Sequence, residues 1–544
     1  MLHRHVPSRR VWAAVAVGSL ALATFAAPVP PLSRSVAASA VSPPESCPPG
    51  AEWQLGDMVN RFRVDHGHRA LLMSAELMRK AQAWSDHLAA IQGLAHSTLT
   101  QGISPGWSYV GENVAYASSG LAAAQNGLEH SPTHLRNLLG DFTEMGLGVT
   151  TDARGFTWVA QVFVRRSAPT ASYGGPAGAS SFTPVRPATV FRPAQVVPAG
   201  SVNTVRVTGV GGVPKGATAV ATVLEAFNAS GAGWFQLLGP GDVRGTVSSL
   251  TLDQGRGSVT SITRVASDGT IRVTGSVAAD VRVSVVGYFT RASSLVRAGR
   301  FSAISTARVL DTRSTSRVSW SGGRPGAGSV ITVPVQGRGG LPSTPVRAVV
   351  VNVVALGADG PGAVQVGTPG MTPGAWNSML LTRVHQTLAG MVIAPVDAAG
   401  RIAVRTSVGS HLVIDLRGWF SGSSEAPSTR GLFVPIAATR FFDSRPSGAP
   451  VAGVREVLVA GRASMPECPS AVLGNITLLP TTTATAQIGP WGGFVPAAWS
   501  NVTAMVTRLA VRNEFTAHTG RAWAIGVYSR DPAHVVVDLT GWFV

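Results

Sequence analysis

The strongest constraint on this chain is that its C-terminal two thirds repeats itself. Val213-Pro214, Leu341-Pro342 and Met465-Pro466 each precede an apolar run, at intervals of 128 (342 − 214) and 124 (466 − 342) residues. Each unit closes on one pattern: Gly287-Tyr288-Phe289, Gly418-Trp419-Phe420 and Gly541-Trp542-Phe543. The openings match too. Phe301 to Arg313 reads FSAISTARVLDTR, Phe433 to Arg445 reads FVPIAATRFFDSR, and Phe182 to Ala194, FTPVRPATVFRPA, is a diverged copy. A period this long holds a whole domain rather than one turn of a solenoid. Inside each unit, runs of Val, Ile and Thr alternate with Gly and Pro turns, and helical spacing is absent. Three tandem all-β domains of the β-sandwich type are therefore expected, over 182–292, 301–422 and 433–544.

Comparing the units isolates one set of charged residues. The second and third share Arg308/Arg440, Asp311/Asp443, Arg313/Arg445 and Asp415/Asp538, whereas the first has Thr189, Arg192, Ala194 and Ser284 at those places. Joint loss of these charges suggests one network, in which bidentate Arg–carboxylate pairing pins the first strand of a unit to its last. A structural network of Arg308, Asp311, Arg313, Asp415, Arg440, Asp443, Arg445 and Asp538 is favoured over a ligand site. The aromatics of the closing pattern are read as core.

Before Ser167 the chain has another character. Leu77, Ala81, Trp84, Leu88 and Ile91 recur at three and four residues, which predicts an amphipathic helix, with Ser74 as its N-cap. A shorter helix is expected over Leu55–Val64. Ser131-Pro132 opens another, and Phe142–Thr151 with Phe156–Val164 reads as a hairpin. This mixed domain is expected over 49–167, followed by a Ser/Gly/Pro linker at 168–181.

The N-terminus bears on the compartment. A basic start at His3, Arg4, His5, Arg9 and Arg10 is followed by an apolar run from Val11 to Ala27 and by Ala38-Ser39-Ala40. That is the layout of a secretory signal peptide over 1–40, with a short linker at 41–48, and the mature chain is expected to lack a transmembrane segment. Secretion, with or without attachment to the cell surface, follows. Cys47 and Cys468 are the two cysteines, and an oxidising compartment would allow them to pair. The net charge of +17 comes almost wholly from arginine and suits an anionic envelope polymer. No basic stripe interleaved with aromatics points to specific nucleic-acid binding.

The candidate chemistry lies between Leu55 and Arg166. In order come Asn60-Arg61, Asp65-His66-Gly67, Ala95-His96-Ser97, Gly111-Glu112-Asn113, Ser131-Pro132-Thr133-His134, Arg136-Asn137-Leu138-Leu139 and Gly146-Leu147-Gly148-Val149. Two imidazoles and a carboxylate could form an open zinc site or act as general acid and base. Spacings of 16 (112 − 96) and 22 (134 − 112) residues mean that only the fold could assemble them. In order and spacing these pieces resemble the bacterial, SCP-like branch of the CAP superfamily, which includes cysteine-rich secretory proteins, antigen 5 and plant pathogenesis-related proteins. The resemblance implies an α-β-α sandwich with an open cleft lined by two histidines and two glutamates, in which several members bind a divalent metal. It maps His96, Glu112 and His134 onto that set and leaves the second glutamate missing, its place falling near Ser131. A His130/His134 chelate is disfavoured because the helix starts after His130, and Glu129 stands on the wrong side to replace the missing acid. The repeats resemble tandem extracellular repeats of secreted actinobacterial proteins.

Three functions remain open. The leading one is a secreted CAP protein that binds an extracellular or envelope ligand, with a divalent metal ion such as zinc as its one candidate cofactor and with repeats that bind the envelope or act as spacers. The others are a metal-dependent hydrolase of wall or extracellular polymer, centred on His96, Glu112 and His134, and a purely adhesive surface protein. The missing glutamate argues against the hydrolase. Wall glycan is the other candidate partner.

Overall fold

A computed structural model describes residues 50–167, 178–292, 296–425, 427–462, 465, 469–480, 483–491, 500–504, 510–520 and 523–544. The expected signal segment, the 41–48 linker, most of the 168–181 linker, Cys47 and Cys468 lie outside the described residues.

The N-terminal part builds a four-stranded sheet flanked by helices. In chain order it runs α1 (Gly50–Asp65), β1 (Leu72–Met73), α2 (Ala75–Ile91), β2 (Trp107–Ala117), α3 (Leu121–Glu129), α4 (Pro132–Leu138), β3 (Glu144–Thr151) and β4 (Thr157–Arg166). The sheet order is β1-β3-β4-β2, which leaves β2 on an edge. Alternation along β4 divides its side chains between two cores. Val159 and Phe163 pack with Leu55, Val59, Leu128 and Leu138 on one face, while Trp158, Ala160 and Val162 pack with Leu77, Ala81 and Leu88 of α2 on the other. The three-and-four spacing of α2 is thus a buried stripe, with Ser74 at its N-cap, and it ends at Ile91, which is 49% exposed.

Each repeat contributes two sheets around its own core. In the second repeat the eight strands are Phe301–Asp311, Val330–Pro334, Val346–Leu356, Gly362–Gly367, Met379–Leu381, Leu388–Pro395, Arg401–Thr406 and His411–Ser421. Numbered in that order, one sheet runs 1-8-3-6 and the other 2-7-4-5, and the first repeat (Ser180–Arg291) uses the same order. In the third repeat strands seven and eight run on as Ala524–Phe543, so one long strand serves both sheets.

A further core lies between the repeats. Phe182, Phe289, Phe301, Phe420, Phe433 and Phe543, which open and close the three units, are all at most 3% exposed and belong to one cluster. Ring centroids of Phe182 and Phe420 are 4.3 Å apart, of Phe289 and Phe433 4.6 Å, and of Phe301 and Phe543 4.4 Å. These three contacts join first to second, first to third and second to third repeat, so the set closes on itself. Burying each ring contributes about 1.5–3 kcal/mol.

The glycine of each closing pattern makes room for the opening phenylalanine. A Cβ on Gly287, Gly418 or Gly541 would lie 2.2–2.4 Å from ring atoms of Phe182, Phe301 or Phe433. Opening Phe and closing Gly are therefore one steric unit, 105 to 117 residues apart in sequence (287 − 182 and 418 − 301). Among the described residues no helix is long and apolar enough to cross a membrane.

Candidate functional site

The edge strand β2 organises the site. Its pairing with β4 sets Glu112 opposite Val162 and Asn113 opposite Gln161. Glu112 therefore faces α2, and Asn113 faces α3 and α4. Gly111 allows α4 to approach, because a Cβ there would lie 2.9 Å from Asn137 Oδ1 and 3.0 Å from the Phe142 ring. Asn113 then ties the layers together: its Nδ2 donates to His134 O at 3.2 Å and to Gln161 Oε1 at 3.2 Å, and its Oδ1 accepts from Asn137 Nδ2 at 2.9 Å. Asn137 Nδ2 also donates to Glu112 O at 3.1 Å.

Glu112 is buried, with both oxygens of its carboxylate engaged. Oε1 accepts from Ser97 N at 2.8 Å and lies 2.9 Å from His96 Nδ1, while Oε2 accepts from Ser97 Oγ at 2.5 Å. A carboxylate can only accept, so the His96 tautomer that satisfies it carries its proton on Nδ1 and leaves Nε2 free. The Glu112 side chain is 0% exposed and that of His96 59%, so the pair is a buried anchor holding an open ring.

His134 stands on α4, across the edge strand. Its Nδ1 is 2.9 Å from Ser131 Oγ. Burial first, and the neighbouring His96 ring second, hold His134 below the usual imidazole value. The three candidates are thus brought together, with Glu112 spent on orienting His96 rather than turned towards a shared centre. Among the described residues no group of three or more His, Cys, Asp or Glu side chains is arranged to hold a metal ion.

His130 caps α3 and bonds Asn126 O at 2.9 Å, while His134 belongs to the next helix. Glu129 accepts from Gln125 Nε2 at 2.9 Å. Lys80, which sequence reasoning did not connect to the site, donates to Ser97 Oγ and to Thr98 O at 3.0 Å each. Burial holds its ammonium below the usual lysine value, although Glu112 opposes this. Its signal was present: Lys80 and Lys215 are the only lysines in an arginine-dominated chain.

The charged residues singled out in the repeats form two matching clusters. Arg308 donates Nε to Asp415 Oδ1 at 2.9 Å and Nη2 to Asp415 Oδ2 at 3.2 Å, and Arg313 donates Nε and Nη2 to Asp311 at 3.0 and 2.6 Å. Arg440 holds Asp538 at 2.9 and 3.3 Å, and Arg445 holds Asp443 at 2.9 and 2.6 Å. In the first repeat Thr189 Oγ1 and Ser284 Oγ stand 3.1 Å apart instead. First and last strands are thus joined by two charged clamps and one hydroxyl pair.

The helix–sheet part carries a buried Gly-Glu-Asn strand with histidines on either side. The model of the CAP family, described as the cysteine-rich secretory protein family, matches residues 57–163, so this segment is a CAP domain. Among solved structures, the chain is similar to an outer surface protein of Borrelia burgdorferi, at 16% identity and a TM-score of 0.20, over 22% of this chain and 93% of that one. No curated protein matches the chain.

Proposed function

We propose that this is an exported CAP-domain protein that binds an extracellular or cell-envelope ligand in the cleft around His96 and His134. The carrying observation is that the buried Glu112 carboxylate fixes the His96 ring and frees its Nε2, with His134 close enough to feel its charge. His96 Nε2 and a ring nitrogen of His134 would hold a divalent ion such as zinc. Glu112 would act behind His96 as the orienting carboxylate that such ligands commonly have. The ion would supply an electrophilic centre for a ligand oxygen. The chain itself sets the ring tautomer, ties α4 to the edge strand through Asn113, and brings the Lys80 ammonium to the same wall.

In this reading the CAP unit, an α-β-α sandwich, spans 49–167, and the repeats over 182–292, 301–422 and 433–544 are β-sandwiches. Their strand order is that of an eight-stranded jelly roll. They serve as envelope-binding or spacer modules of the actinobacterial type. The charge of +17 supports an anionic polymer or wall glycan as partner, and three linked copies would add avidity. The basic and apolar N-terminus supports export.

Zinc titration of the full chain, wild type against a His96→Ala/His134→Ala double variant, tests the cleft. Loss of affinity in the variant supports the proposal, and equal affinity in both removes the metal reading. Retention on purified cell envelopes tests the repeats, and no retention leaves them as spacers.

A further inference from the structure

Three arginines, one from each repeat, line one cavity where the repeats join. A cavity of about 60 Å³ at this junction has Arg256 of the first repeat, Arg383 of the second and Arg512 of the third in its wall. Asp253 is the one carboxylate among the described lining residues. It is already engaged: Arg383 approaches its two oxygens at 2.9 and 3.2 Å, and Thr382 Oγ1 donates to it at 2.8 Å. Among the described residues the wall thus holds three guanidinium groups against one carboxylate, with Asp538 acting on Arg512 from outside it.

Unanswered donors in the same wall point the same way. Arg512 donates Nη1 to Ser248 O at 2.8 Å, but its Nε is buried with no partner among the described residues, as is the Nε of Arg256. The hydroxyls of Ser258 and Thr260, in the same wall, are also buried and unanswered. Glu514, two residues from Arg512, does not make up the deficit. Its Oε1 is taken up by Ser261 and Ile262, and burial pushes its carboxyl up to about 8, which favours the uncharged form. Burial also holds Arg512 down to about 10, against the opposing pull of the Asp538 carboxylate. Buried donors and buried positive charge are both costly without a partner.

We infer that the junction of the three repeats is a binding site for a free inorganic oxyanion of the phosphate or sulfate type, which compensates Arg256 and Arg512 and holds the repeats together. The size agrees: at roughly 15 Å³ for each water-sized atom, the cavity seats about four, the number of oxygens on such an ion. The site belongs to the repeats alone and is independent of the CAP cleft.

The test is inorganic phosphate with the full chain, exchanged against chloride at constant ionic strength. Wild type is expected to bind one phosphate per chain in equilibrium dialysis and to melt at rising temperature as phosphate increases. Arg512→Met and Arg256→Met are each expected to weaken binding by roughly ten- to a hundredfold, the loss of one charge-assisted bond. Arg455→Met removes an exposed arginine elsewhere on the third repeat and is expected to change nothing, which separates the site from general attraction to a basic protein. No saturable phosphate binding by the wild type overturns the inference, and so does an equal response in all four proteins. Should Arg512→Met fail to fold, Arg256→Met and the wild-type stoichiometry decide.

Discussion

Replacing Glu514 by glutamine should remove a stability gradient with pH from the repeat assembly. Glu514 is 0% exposed and lies on the Val511–His518 strand of the third repeat, where its Oε1 accepts from Ser261 Oγ at 3.1 Å and Ile262 N at 3.2 Å of the first repeat. Strand pairing sets it opposite Asn475, the place that Thr260 and Met391 take in the other repeats. Burial pushes its carboxyl from 4.5 up to about 8. The folded form therefore holds this proton more tightly than the unfolded one. Stability from this group is fully present below pH 4.5 and falls as pH rises to about 8, by about 1.4 kcal/mol per pH unit and about 5 kcal/mol in all. A glutamine carbonyl accepts the same two bonds and does not titrate. Denaturant unfolding of wild type and Glu514→Gln from pH 5 to pH 9 is the assay, and the difference between them cancels every other titrating group. The variant is expected to gain about 3–4 kcal/mol on the wild type between pH 5 and pH 8, after which the curves run parallel. Parallel curves between pH 5 and pH 8 would refute the reasoning.

Glu52 gives a smaller gradient of the same sign, since burial raises it to about 7; in Glu52→Gln, pH dependence of CAP-domain unfolding between pH 4.5 and 7 should flatten. Arg308→Met leaves Asp415, 2% exposed, without its bidentate partner and should cost about 3 kcal/mol by chemical denaturation. Thr189→Ala in the first repeat should cost about 1 kcal/mol. Gly418→Ala drives a methyl to within 2.4 Å of the Phe301 ring and should destabilise by about 1–3 kcal/mol, read as a lower melting temperature. Glu112→Gln should weaken zinc binding by roughly 10- to 100-fold and shift the His96 tautomer, read from the ring nitrogens by NMR.

Much of this could be read from residue order, and what could not has physical causes. The α2 stripe was legible because Leu77, Ala81 and Leu88 all meet one face of a sheet. The opening and closing motifs of the repeats were legible because ring and glycine must be kept together. The edge strand β2 was not, since its exposed Trp107 and Tyr109 and its Gly-Glu-Asn turn the pattern away from simple alternation. Nor did the sequence reveal that Ser97 and His96 would absorb both oxygens of Glu112, because a loop without periodicity delivers them. The arginine junction is hidden for another reason: the register matches Arg512 to Ala389 and Ser258, so no motif comparison aligns the three arginines.

The most direct test of the His96–His134 cleft is a crystal structure of the full chain soaked in zinc. The proposed function requires an ion at about 2.0–2.1 Å from His96 Nε2 and from a ring nitrogen of His134, with Glu112 still bonded to His96 Nδ1 and Ser97. Zinc bound away from the two histidines, or Glu112 swung out to become a ligand, would contradict it.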